Sequence, residues 1–113
     1  MTENVFQIKR GDTSPAIEYV LLPESVVLTG ASVQFQMRVR KGATVVDAPA
    51  EIATAVGTPT VRYWWEPEDT AQAGRFEAEF RVTYNDGKVE TFPNIGFIPV
   101  VIGEDVPDIE VAP

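Results

Sequence analysis

The sequence of 113 residues contains neither cysteine nor histidine. Without cysteine, no disulfide and no thiolate metal site can form. Without histidine, the commonest general base and the commonest metal ligand are both missing. We therefore expect a protein that is not an enzyme and that holds no metal or cofactor. No apolar run approaches the about 20 residues that a membrane helix needs, and the first residues show no signal-peptide pattern.

Basic residues are also scarce, with 9 Lys and Arg against 17 Asp and Glu, a formal net charge of -8. Such a charge is repelled by phosphate backbones and by anionic membrane surfaces, so we expect no nucleic-acid and no membrane partner. The length fits a single domain with its own hydrophobic core. We place that domain at residues 1–102. Residues 103–113 carry four acids, two prolines and no base, and we interpret them as an acidic tail.

The dominant pattern is an alternation of apolar and polar residues. It predicts strands that are wetted on one side, as in antiparallel sheets. The predicted strands are 5–9, 17–22, 32–40, 51–55, 60–65, 75–84, 88–92 and 98–102. The predicted core is Val33, Phe35, Met37, Val39, Tyr63, Trp65, Phe76, Phe80 and Val82. Turn signals such as Asn85-Asp86-Gly87 separate the strands. About seven to eight short strands with frequent turns predict an all-β fold of two packed antiparallel sheets. At most one short helical turn is expected, within 67–73.

An ordered series of segments resembles the N-terminal domain of phage baseplate upper proteins. The segments are Ile8-Lys9-Arg10-Gly11-Asp12-Thr13, Leu28-Thr29-Gly30-Ala31, Val61-Arg62-Tyr63, Phe76-Glu77-Ala78-Glu79-Phe80 and Thr91-Phe92-Pro93-Asn94. They lie within residues 5–102, which is nearly the whole sequence. The resemblance implies an immunoglobulin-like sandwich in the virion of a tailed phage, without catalytic residues. Because the larger members continue into parts that carry receptor-binding proteins, we expect a small baseplate, tail, neck or capsid-decoration component here.

Two adjacent tryptophans provide the first candidate site. In a strand of period two, Trp65 shares a face with Val61 and Tyr63, whereas Trp64 shares the opposite face with Arg62. We therefore predict that Trp65 is in the core and that Trp64 is exposed. An exposed tryptophan beside an arginine is typical of a protein–protein hot spot, although a loop of the same chain could also cover it.

The last predicted strand and the tail extend this candidate interface. Residues 98–102 are apolar on both faces, which indicates a second buried side, covered by a loop or by a partner. The tail could add as a strand to a neighbouring sheet, or it could be a frayed end. The predicted interface residues are Arg62, Trp64, Ile98, Val100, Ile102, Val106 and Ile109. The expected partners are other virion proteins, in several copies.

Other interpretations remain open at this point. Trp64 with Phe92 or Phe97 could form the aromatic platform of a carbohydrate-binding β-sandwich. Glu77 and Glu79 could be a catalytic pair, but Arg75 and Arg81 flank them, and the run is more typical of solvated ion pairs. Residues 10–12 spell Arg-Gly-Asp, an integrin-recognition tripeptide, which we interpret as a glycine turn.

Overall fold

The computed structural model describes residues 5–21, 26–55 and 57–104. These residues form eight strands and one 3-10 turn, so the all-β prediction is confirmed. The turn spans Pro67–Thr70, within the range where the sequence predicted one. None of the described residues forms a helix long and apolar enough to cross a membrane. The strands are β1 (Phe6–Lys9), β2 (Ile17–Val20), β3 (Ser32–Val39), β4 (Thr44–Thr54), β5 (Thr60–Tyr63), β6 (Gly74–Thr83), β7 (Val89–Phe92) and β8 (Ile98–Gly103).

The strands pair in the order β1-β8-β6-β3-β4-β5-β2, and β7 pairs with the end of β6 that β8 leaves free. The resulting mixed sheet curls until it is nearly barrel-shaped. Phe6 of β1 lies 5.7 Å, between ring centroids, from Trp65, which follows β5 near the other end of the order. β1 and β8 are parallel, whereas the sequence predicted only antiparallel strands, and that prediction is wrong for this pair. A parallel pair needs a long connection, and here the rest of the domain provides it.

The long strand β4 connects the two parts of the curled sheet. Its first half pairs with β3 through Ala50, and its second half pairs with β5 from Glu51 onward. The sequence predicted only the second half, because the first half contains alanines, Asp47 and Pro49, which are weak strand formers. Pro49 is tolerated because this half pairs with β3 on one side, so its other side needs no backbone donor.

The core lies between the two parts of the sheet. Phe35 of β3 is fully buried and contacts the rings of Tyr63, Phe80 and Trp65, with centroid distances of 4.5, 5.0 and 5.6 Å. Of the nine predicted core residues, eight are buried, and Val39 is 42% exposed. The prediction for Val39 is wrong because this residue ends β3, past the part of the strand that covers the core. Val39 therefore lies beside the tight turn to β4, where its backbone N–H donates to the carbonyl of Ala43.

Candidate functional site

Trp64 and Trp65 lie on opposite sides of the chain at the end of β5. Trp64 is 53% exposed and Trp65 is 3% exposed, so the predicted phase of the two tryptophans is confirmed. The indole of Trp65 packs edge-on against Tyr63, with ring centroids 5.6 Å apart. The period of the strand thus leaves a large aromatic ring on the outer surface.

Trp64 belongs to a set of polar contacts on the outer surface of β2, β5 and β4. Arg62 donates from Nε to Glu18 at 2.6 Å and from Nη1 to Glu51 at 2.9 Å. Trp64 donates from Nε1 to the same Glu51 oxygen at 3.2 Å. We call these four residues, Glu18, Glu51, Arg62 and Trp64, the Trp64 surface. The register explains the contacts, because Arg62 is opposite Glu18 on β2 and opposite Glu51 on β4.

The charges of the Trp64 surface are largely compensated but remain in contact with water. The hydrogen bond from Arg62 to Glu18, and to a smaller extent the hydrogen bond to Glu51, raises the pKa of Arg62 above its usual value. The guanidinium therefore stays charged. The carboxylate side chains remain 49% and 48% exposed. Exposed ion pairs of this kind stabilise a fold weakly. The arrangement therefore presents an oriented, partly hydrogen-bonded indole together with two acids and one base.

The orientation of Trp64 is fixed by its neighbours on the inner side. Tyr63 donates from its hydroxyl to Oδ2 of Asp69 at 2.6 Å, and the backbone N–H of Glu66 donates to the same oxygen at 2.8 Å. Asp69 thereby joins the end of β5 to the 3-10 turn. Since Tyr63 and Trp65 are both held inside, the residue between them has to point outward.

The predicted interface residues on β8 lie elsewhere. Ile98, Val100 and Ile102 are 8%, 1% and 1% exposed, because they face the chain's own core. The prediction that they belong to an interface is wrong, because these three side chains are not available to a partner in the folded domain. The outward residues of β8 are Pro99 and Val101, which are half-buried. Val106 and Ile109 lie outside the described residues.

The exposed rings do not form the predicted aromatic platform with Phe92. Phe92 is 2% exposed and belongs to the core, so the pairing of Trp64 with Phe92 is wrong. Phe97 is 46% exposed, but its ring lies 5.2 Å from the guanidinium carbon of Arg38. Arg38 is opposite Thr44 at the start of β4, whereas Trp64 contacts Glu51 seven residues further along that strand. At strand spacing, this separation is about 23 Å of chain.

Comparisons of the chain with protein-family models, with curated proteins and with solved structures find no significant match. The functional argument therefore depends on the residues themselves.

Two of the other sequence candidates, Glu77 and the Arg-Gly-Asp segment, have structural partners within the chain. Glu77 accepts a hydrogen bond from Nε of Arg38 on β3 at 2.8 Å. The sequence analysis named only Arg75 and Arg81 as bases near Glu77, and not this residue of the neighbouring strand. In the Arg-Gly-Asp segment, the N–H of Gly11 donates to the carbonyl of Thr70 at 2.9 Å. Thr70 in turn donates from Oγ1 to the carbonyl of Asp12 at 2.8 Å. These bonds hold the segment against the 3-10 turn.

Sequence reasoning missed two members of the Trp64 surface, Glu18 and Glu51. Glu18 is in the short strand β2 and Glu51 in the long strand β4, 44 and 11 residues away from Arg62 in the sequence. Their proximity depends on strand order and register, and no local pattern predicts these. The only available signal was the outward phase of both residues in their own strands.

Proposed function

We propose that this chain is a non-enzymatic structural domain of a tailed-phage virion. It acts by docking onto another virion protein through the Trp64 surface, in several copies per particle. One observation carries the proposal: a tryptophan that is 53% exposed is held outward beside a charged, hydrogen-bonded arginine. Tryptophan and arginine are enriched among the residues that dominate binding energy at protein interfaces.

The resemblance to baseplate upper proteins supplies the virion part of the proposal. We infer that the fold is a variant of the immunoglobulin-like sandwich. One layer is β1-β8-β6-β3 and the other is β2-β5, and β4 passes from the first layer to the second. Immunoglobulin domains divide their strands between two sheets in a similar way. The stacking of Phe35 of the first layer on Tyr63 of the second supports this inference.

The chemistry of the Trp64 surface favours docking over catalysis. Glu18 and Glu51 each accept a hydrogen bond from Arg62, and both side chains lie half exposed on the outer surface of the sheet. An indole with a polar rim is suited to a partner surface, where the ring can be buried and the rim can stay hydrogen-bonded.

The proposal is tested by an inventory of purified particles. Virions are isolated from an infection that produces this chain, and their proteins are quantified by mass spectrometry against a major capsid protein. We expect the chain at a fixed, repeated copy number that survives a high-salt wash. Its absence from particles, with the chain abundant in the same lysate, would overturn the virion part of the proposal.

A further inference from the structure

Acidic and basic residues are distributed unevenly over the strands. Residues 44–74, which include β4, β5 and the 3-10 turn, contain five acids and a single base, Arg62. The other eight bases lie on β1, β3 and β6 or in the turns that directly follow these three strands. The chain has a net charge of -8, yet its positive charge is concentrated away from the Trp64 surface.

Further acids lie close to the Trp64 surface. Glu66 and Glu68 follow Trp64 within four residues, and both are exposed. They add to the two acids that already belong to the surface, and the sequence offers no second base in this region to compensate them. Because Trp64 is 53% exposed, this part of the molecule presents an apolar ring with an acidic rim.

Three bases lie together at the turn between β3 and β4. Arg40 and Lys41 are in this turn, and the backbone N–H of Arg40 donates to the carbonyl of Arg75 on β6 at 3.0 Å. All three side chains are exposed, and within the part of the chain that the structure describes their charged groups have no hydrogen-bonding or ion-pairing partner. Val39, the neighbour of Arg40 in the chain, is 42% exposed. We call Val39, Arg40, Lys41 and Arg75 the basic corner.

The basic corner and the Trp64 surface are complementary but well separated. Each combines an exposed apolar side chain with charged groups, of opposite sign in the two cases, and protein interfaces commonly combine an apolar centre with a polar rim. Thr44 begins β4 directly after the turn of the basic corner, and Glu51 lies seven residues further along this strand, which is about 23 Å. One chain therefore cannot join the two surfaces to each other, whereas two copies can.

We propose that the Trp64 surface of one copy docks on the basic corner of the next copy. A basic side chain of the corner lies over the indole of Trp64, where the ring attracts a cation, and the other bases face the acidic rim. Because the two surfaces differ, the contact is heterologous, and its repetition gives a ring when the rotation between copies closes. The inference rests on the proposed function, because it names the protein that the Trp64 surface binds in the particle.

Sedimentation velocity of the purified full-length chain tests this contact without particles. At about 0.15 M salt, where the screening length is about 8 Å, we expect the average mass to rise with protein concentration. Lys41→Glu, or Arg75→Glu as a second variant, should weaken the association about fivefold or more, since fivefold is the upper range for one exposed ion pair. Arg81→Glu is the matched control and should associate like the wild type, because Arg81 is exposed on β6 about 20 Å from Arg75.

Mixing two reversed variants identifies the two surfaces as partners. Glu66→Lys reverses an acid next to Trp64 and should weaken the association by itself, as Lys41→Glu does on the basic corner. In a mixture the two variants can alternate, so that every contact again joins opposite charges, and the association should return towards that of the wild type. The melting temperature of each variant shows that it is folded. A mixture that associates no better than either variant alone would contradict the proposed contact.

Two further outcomes would overturn the inference. The first is a chain that stays monomeric up to about 1 mM, the local concentration that linked binding sites reach. The second is association that strengthens between about 0.15 M and about 1 M salt, since screening weakens a contact between opposite charges. If Trp64→Ala is nevertheless depleted from particles, the proposed function stands and the Trp64 surface binds a different virion protein. If the chain associates but is absent from particles, the proposed function fails and the contact between copies stands.

Discussion

The two sides of β5 are built from alternate residues of one short run, yet they carry different chemistry. On the inner side, Val61, Tyr63 and Trp65 are at most 5% exposed and pack into the aromatic core. On the outer side, Arg62 and Trp64 form hydrogen bonds with acids that remain half exposed. The inner side is expected to determine stability and the outer side to determine binding. Substitutions on each side can break or sharpen this distinction.

The largest effect is expected for Phe35→Ala, on β3, whose ring packs against Tyr63 and Trp65 of the inner side. Phe35 is fully buried and contacts three other aromatic rings. Removing a buried phenyl ring loses its transfer free energy and leaves a cavity, at a cost of about 3–5 kcal/mol. Denaturant unfolding measures this cost. A loss below about 1 kcal/mol, the range of surface substitutions, would contradict the packing described here.

A smaller effect is expected for Tyr63→Phe, which retains the ring and removes only the hydroxyl. The hydrogen bond from that hydroxyl to Asp69 has a charged acceptor, so its loss should cost about 1.5–3 kcal/mol. The bond also connects β5 to the 3-10 turn, so amide exchange should increase at residues 66–70. Unchanged stability would mean that this bond does not hold the end of β5.

The same variant gives a prediction for alkaline pH. Burial, followed by the hydrogen bond to Asp69 and the charges of nearby acids, raises the pKa of Tyr63 above its usual value of 10.0. The folded state therefore holds the phenolic proton more tightly than the unfolded state, and this stabilisation is complete below pH 10. It is lost as the pH rises above 10, so the free energy of unfolding should fall more steeply in the wild type than in Tyr63→Phe. Parallel pH profiles would contradict the assignment.

The outer side should respond far less. Glu51→Gln removes one charge from the Trp64 surface but retains the shape of the side chain. We expect a loss of about 0.2–1 kcal/mol that disappears at high salt, as for other exposed ion pairs. Urea unfolding at low and high salt measures it. A loss as large as that of Tyr63→Phe would mean that the outer contacts also support the fold.

Much of the inner side could be predicted from the sequence, because strand periodicity is local information. The alternation in β3 and β6 predicted both strands and their buried residues, and the same reasoning assigned Trp64 and Trp65 correctly. Val39 was assigned wrongly, because it is the last residue of β3, beside the turn to β4, and the alternation does not show where the core ends.

The outer side could be predicted only in part, since its contacts depend on which strands are neighbours. Glu18 and Glu51 lie beside Arg62 because of the register of β2 and β4 with β5. β1 and β8, which are near opposite ends of the sequence, pair in parallel. Both faces of β8 are apolar, so the sequence did not show which face of this strand lies against the core. The structure resolves this ambiguity by burying Ile98, Val100 and Ile102.

The central claim is that Trp64 serves binding rather than folding. The most direct measurement is the incorporation of Trp64→Ala into particles, in competition with wild-type chain and quantified by mass spectrometry. Truncating an interface tryptophan typically costs about 2 kcal/mol or more, which is about thirtyfold in affinity. We predict depletion on that scale with an unchanged melting temperature, whereas Phe97→Ala, an exposed aromatic elsewhere, is incorporated like the wild type. Equal incorporation of Trp64→Ala and wild-type chain would contradict the account.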